Sequence, residues 1–201
     1  MKKKYIIASI ISGAIVIGGL ILLAIVSILF YNGIVKLDEK AAKAWAQVES
    51  QYQRRADLIP NLVATVKGYA EHESSTLQAV TEARNKATGI TIDANNMTQE
   101  DLNRFQQAQD ELGKSLGRLI AVSEAYPDLK ANENFKDLQA QLEGTENRIA
   151  VARNDFAEAV QTYNSAIRTF PRNIVASIFG FEKKAYFQAA AGSEEAPKVE
   201  F

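Results

Sequence analysis

The chain has 201 residues, with 23 basic and 24 acidic side chains, one histidine and no cysteine. The missing cysteines rule out a disulfide framework, a thiolate nucleophile and cysteine metal sites; the lone histidine, His72, removes His-rich metal centres and narrows acid–base chemistry. Setting Lys2, Lys3 and Lys4 aside leaves 20 basic against 24 acidic residues, the reverse of a nucleic-acid binder's balance, so no nucleic acid is expected as a partner.

Residues Tyr5 to Phe30 carry no charge. As a helix they would reach ~39 Å, enough to cross a hydrocarbon core of ~30 Å with some tilt. A cleaved signal peptide would have a shorter apolar region followed by a small-residue cleavage site. Here the run continues into Phe30-Tyr31, an aromatic pair suited to a membrane interface, so residues 1–30 are read as an uncleaved anchor in a bilayer. Lys2, Lys3 and Lys4 favour a cytoplasmic N-terminus and an extracytoplasmic remainder. Lys36, Lys40 and Lys43 on the far side pull the other way, with Asp38 and Glu39 among them.

Beyond the anchor, helical periodicity covers most of the chain. Ile34, Leu37, Ala41, Ala44, Trp45, Val48 and Tyr52 form an apolar stripe spaced three and four apart, which predicts a helix over 31–56. Pro60 lacks a backbone N–H and is at home in a helix's first turn, and Asp57 could cap that turn. A sharp helix–helix turn is therefore expected at 57–60, with a second helix over 60–87 carrying Leu62, Val66, Tyr69, Leu77, Val80 and Ala83. The alternative is one long helix kinked at Pro60.

Gly89 supplies a stop, and residues 90–97 read as a loop with Asp93, Asn95 and Asn96 as turn formers. Thr98 is a good N-cap, with Glu100 and Asp101 in the first turn of a third helix that carries Leu102, Phe105, Leu112, Leu116, Leu119 and Tyr126. Gly113 and Gly117 lie inside it one turn apart, a spacing that points to close approach of another backbone, with a ligand groove as the alternative. Pro127 ends that helix. Asn132 or Asn134 caps a fourth, in which Phe135, Leu138, Leu142, Thr145, Ile149, Ala152, Phe156, Ala159, Tyr163, Ala166 and Phe170 form a heptad-like, coiled-coil seam before Pro171. Such a seam serves within one chain or between chains, so it leaves the oligomeric state open.

Three blocks in this order carry a family likeness. They are Arg54-Arg55-Ala56-Asp57-Leu58-Ile59-Pro60-Asn61-Leu62-Val63 with Val66-Lys67-Gly68-Tyr69; Tyr126-Pro127-Asp128-Leu129-Lys130-Ala131-Asn132-Glu133-Asn134-Phe135; and Glu146-Asn147-Arg148-Ile149 leading to Phe170-Pro171. From about residue 30 onward the chain resembles the LemA family. The resemblance implies a membrane-anchored helical bundle and no particular reaction, cofactor or metal.

The expected fold is all-α: an N-terminal transmembrane helix, then an antiparallel four-helix up-and-down bundle over 31–171. An amphipathic segment follows over 172–190 and a flexible tail over 191–201. In that topology the 54–61 and 126–134 turns meet at one membrane-distal tip. Arg54, Arg55, Asp57, Asn61, Asp128, Asn132 and Glu133 are then candidates for docking another envelope or membrane protein. A purely structural role in caps and turns is the competing reading, and Arg55 falls on the apolar stripe, where it would point inward to an acid. Phe30, Tyr31, Ile174, Ile178, Phe179 and Phe181 are candidates for the membrane interface, with packing across the open end of the bundle as the alternative.

Chemistry has thin support. His72 with Glu71 and Glu73 is expected near Trp45, too few groups for a metal site. Glu73, Glu146 and Arg153 suit a buried ion network that fixes register. A non-enzymatic interaction scaffold is the first expectation, and an enzyme or accessory subunit using those buried polar residues is the alternative.

Overall fold

The computed structural model describes residues 2–94 and 96–187, with side chains from residue 13 onward. The expected tail 191–201, positions 188–190 of the amphipathic segment, Asn95 and the side chains of Lys2, Lys3 and Lys4 lie outside the described residues. Among those described, every regular element is helical: α1 (Lys2–Lys67), α2 (Ser74–Thr88), α3 (Gln99–Val122), a 3-10 turn (Ser123–Ala125), α4 (Pro127–Ala131), α5 (Glu133–Arg168) and α6 (Arg172–Phe179). The N-terminal part of α1 is long and apolar enough to cross a membrane, and its large side chains from Ile15 to Leu29 are exposed.

The expected turn at 57–60 does not form. α1 continues as helix through Pro60 to Lys67. A proline inside a helix leaves the carbonyl four residues back without its N–H donor. That carbonyl belongs to Ala56, and it accepts a 2.8 Å hydrogen bond from Arg84 Nε on α2. The proline therefore replaces a bond within the helix with one between helices. The chain reverses later, at 68–73, where Gly68 N–H still reaches the Ala64 carbonyl and Glu73 N–H that of Ala70.

The described chain forms two compact units, one of residues 2–40 with 161–183 and one of 41–160 with 184–187. In the larger unit, two apolar clusters lie along the helices. The first gathers Ile59, Leu62 and Val66 of α1, Leu77 and Val80 of α2, Leu112, Leu116 and Leu119 of α3, and Phe135 and Leu142 of α5. The second gathers Trp45, Val48 and Tyr52 of α1, Leu102 and Phe105 of α3, and Ile149, Phe156 and Val160 of α5. α2 contributes nothing to the second cluster. With 15 residues it reaches ~22 Å, against ~36 Å for the 24-residue α3.

Irregular chain closes the remaining side. Ile92 is buried there, with Ile90, Ala94 and Met97 beside it. Phe187 stacks against Trp45 and Phe156 at 6.0 and 5.8 Å. Gln99 Nε2 donates to the Tyr186 carbonyl and Lys184 Nζ to that of Ala94, which ties this strip down. Residues 184–187 thus pack on a core rather than standing free.

The predicted caps of α3 and α5 are present, whereas Asp57, expected to cap a helix at Pro60, lies inside α1. Thr98 and Asp101 form a reciprocal capping box at the start of α3. Asn132, not Asn134, caps α5, its Oδ1 accepting from Phe135 N–H at 3.0 Å. Pro127 opens α4 rather than only closing α3. Two further expectations fail. A Cβ built on Gly113 or Gly117 would meet nothing within 4 Å, so no backbone approaches them. Phe170, the last residue of the expected seam, lies beyond the end of α5 and is 74% exposed.

The Pro60–Arg84 linkage makes a quantitative prediction. Arg84→Met should destabilise the fold by about 1–3 kcal/mol, because it strands the buried Ala56 carbonyl. Pro60→Ala restores an N–H to that carbonyl, so in its presence Arg84→Met should cost roughly 1 kcal/mol less. Urea unfolding of the four variants measures the coupling.

Candidate functional site

Arg55 sits between the two apolar clusters and is 4% exposed. Burying a guanidinium requires that its donors be met by acceptors. Nη1 bonds Glu146 Oε1 at 2.6 Å, and Nη2 bonds Gln109 Oε1 at 2.6 Å and the Gln109 carbonyl at 3.2 Å. The Tyr52 ring lies 5.1 Å from its carbon centre, within cation–π range. Gln109 Nε2 passes the connection to the Ala87 carbonyl of α2 at 3.5 Å. Arg55 and Gln109 together thereby link α1, α2, α3 and α5. Burial pushes the Tyr52 phenol up, while the charges of Arg153 and Arg55 oppose that shift. Arg153 also lies 4.3 Å over the Phe187 ring.

The inward reading of Arg55 is therefore the observed one, although its acid, Glu146, is half exposed. Glu73 does not join this layer. It accepts from Tyr126 Oη at 3.1 Å at the other end of α2, and burial and the Glu73 carboxylate both push that phenol up. His72 is exposed on the 68–73 turn, and Trp45 packs instead with Phe105, Phe156 and Phe187.

The remaining candidates for a docking tip separate into two places. Arg54, Asp57 and Asn61 are exposed along the body of α1, where Asp57 accepts from Gln53 Nε2 and the Asn61 carbonyl from the Thr65 hydroxyl. Arg54 is ~20 Å of helix before the end of α1. Asp128, Asn132 and Glu133 cluster where α4 meets α5. Their neighbour across the chain is Tyr69, whose hydroxyl accepts from Asn132 Nδ2 at 2.9 Å. The expected meeting of the 54–61 and 126–134 segments does not occur, because α1 does not turn at Pro60. The reversal at 68–73 takes its place. Its signal was Gly68, a helix-ending residue directly after Lys67.

The membrane-interface candidates form a contiguous group within the smaller unit. Tyr31 lies 4.8 Å from Phe179 and 5.6 Å from Phe181, ring centre to ring centre. Gly180, at φ 73°, adopts the left-handed conformation that suits glycine, and lets Phe181 N–H reach the Ala176 carbonyl at 2.9 Å. Val175 and Ala176 face inward with Ile34, Tyr163 and Ile167, and Phe30 packs alongside. Ile174, Ile178 and Phe179 remain exposed. Tyr163 anchors the group by donating to the Glu182 carbonyl at 3.0 Å. Burial, with the charges of Asp38 and Glu182, pushes its phenol up to about 12.

The Arg55 layer yields the next prediction. Arg55→Met should cost about 2–3 kcal/mol, since it leaves buried Gln109 acceptors unmet. Glu146→Gln should cost under about 1 kcal/mol, because the half-exposed carboxylate is already well solvated. Thermal unfolding distinguishes the two, and equal losses would mean that Glu146 is the dominant partner.

Comparison with known proteins gives a consistent set of relatives. The model of the LemA family matches residues 44–201. Magnetosome protein MamQ 1 of Paramagnetospirillum magneticum is 29% identical over 177 residues, covering 79% of this chain and 64% of that protein. Magnetosome protein MamQ of Magnetospirillum gryphiswaldense is 29% identical over 175 residues, covering 78% and 64%. Protein LemA of Metamycoplasma hominis is 24% identical over 159 residues, covering 79% and 69%. The chain thus spans 64% of the length of the magnetosome relatives that it matches.

Proposed function

Because this chain belongs to the LemA family, we propose that it works as a non-catalytic, single-pass membrane protein whose helices form an interaction scaffold in the cell envelope. One observation carries the reading: the N-terminal part of α1 is long and apolar enough to cross a membrane, and its large apolar side chains are mostly exposed. The use of the buried polar groups supports the same view. Arg55, Gln109 and Glu146 are engaged with one another, and Arg84 with a backbone carbonyl, which is the chemistry of register rather than of turnover.

In this proposal α1, α2, α3 and α5 make an antiparallel four-helix up-and-down bundle. Opposed pairs support it: Trp45 with Phe156 and Arg55 with Glu146 between α1 and α5, with Tyr69 and Asn132 paired just past the end of α1 and just before α5, and Lys86 with Glu111 between α2 and α3, with Glu73 and Tyr126 paired just before α2 and past the end of α3. The N-terminus is cytoplasmic and the bundle extracytoplasmic. Another envelope or membrane protein docks on the end that carries Tyr69, Asp128, Asn132 and Glu133, with Arg54, Asp57 and Asn61 offering polar contacts along α1. Phe30, Tyr31, Ile174, Ile178, Phe179 and Phe181 rest at the lipid headgroups on the anchor's outer side.

Photo-crosslinking in intact cells tests the docking surface, with the reactive group at position 133 and a control at the exposed position 104. A discrete protein adduct at 133 alone, weakened by Arg54→Glu in a chain of unchanged helix content, is the expected result. Diffuse or absent adducts at 133 would contradict it.

A further inference from the structure

The smaller unit contains a cleft of about 550 Å³. One wall is Phe30 and Leu37 of α1, the other is the last two turns of α5 from Gln161 to Ala166, and Phe170, Pro171 and Arg172 close one end. Its size is that of pockets that hold small organic molecules, about 300–1,000 Å³. Apolar groups line most of it. The Thr169 hydroxyl, on the polar wall, is turned back onto the Ser165 carbonyl at 2.8 Å, so it makes little demand on an occupant.

Two features identify that occupant. The first is position: Phe30 lies near the end of the uncharged run from Tyr5 to Val35, so the cleft continues the apolar surface of that run. Phe170, Ile174 and Ile178, exposed by 74, 51 and 72%, extend this surface past the mouth. The second is charge. Arg172 is half buried at the end of the cleft and has no ion pair among the described residues, while Arg168 lies exposed one turn earlier. A partly desolvated guanidinium beside an apolar trough suits a phosphate carried on a hydrocarbon chain, with the forked donors on the phosphate oxygens.

We infer that this cleft binds one anionic glycerophospholipid from the bilayer that α1 spans. An acyl chain lies along Phe30, Leu37 and Ala166, and Arg172 holds the phosphate. The inference rests on the proposed membrane-interface role of this unit, and goes further by giving the site a single lipid of defined charge.

The test uses the full-length chain in nanodiscs of equal phosphatidylglycerol and phosphatidylcholine, released for native mass spectrometry. Expected is a monomer retaining one lipid, with phosphatidylglycerol favoured roughly tenfold. Ser165→Trp, which puts a ring into the cleft from an exposed position, should remove the retained lipid. Arg172→Gln should keep a lipid but lose the headgroup preference, and because Arg172 contributes to no apolar cluster it guards against misfolding of the tryptophan variant. No retained lipid, equal retention of both headgroups by the unmodified chain, retention unchanged by Ser165→Trp, or a lipid-free dimer would each overturn the inference. Quenching of a fluorophore at position 178 by brominated lipids checks the interface role separately. Quenching there without a retained lipid would sink the cleft alone, and no quenching would sink both.

Discussion

The hydrogen bond from Arg84 to the Ala56 carbonyl decides how this chain is laid out. A proline in mid-helix normally costs about 3 kcal/mol or more, through a lost hydrogen bond and a steric clash. Here the lost bond is replaced from a neighbouring helix. α1 then has no need to end at Pro60 and continues to Lys67, which moves the reversal to 68–73. Everything downstream is set by that delay. α2 begins late and is short, so part of the core beside Trp45 and Phe105 has no helix against it.

The rest of the larger unit answers that shortage. Ile92 from the connecting loop and Phe187 from the far end of the described chain fill the space that a longer α2 would have occupied. Between this aromatic cluster and the aliphatic one lies the Arg55 layer. A polar layer between two apolar clusters makes a one-turn slip of any helix costly, because the slip would place the arginine among hydrocarbon. Such a layer favours one arrangement of the helices. The LemA-family signature around Arg54–Val63 can be understood in these terms: Arg55 bonds from α1 to α3 and α5, and Pro60 leaves the Ala56 carbonyl to a bond from α2.

Much of this was legible in local pattern. The long apolar N-terminal helix, the Thr98 cap of α3, a cap at Asn132 or Asn134 and the seam from Phe135 to Ala166 all depend on neighbours within a few residues, and spacing reports such neighbours directly. What was not legible depended on distant partners. Arg84 is 28 residues from the carbonyl that it serves, so Pro60 read as a turn. Phe187 reads as part of an amphipathic tail until Trp45 and Phe156 are placed beside it. Gly113 and Gly117 suggested close packing by their spacing, yet a glycine also persists where nothing presses on it, and only the structure separates those cases. The candidate docking residues divided for the same reason: Asp128, Asn132 and Glu133 belong to a local turn, whereas Arg54, Asp57 and Asn61 were grouped with them only by the supposed break at Pro60.

The most direct test of this account is the distance between spin labels at positions 47 and 67, both exposed on α1. The chain has no native cysteine, so Gln47→Cys and Lys67→Cys give clean attachment sites. A helix uninterrupted through Pro60 predicts a single distance of about 30 Å, from a rise of ~1.5 Å over each of the intervening residues. A population centred near 10 Å, the separation of two packed helices, would mean that the chain folds back at Pro60 and that the account is wrong.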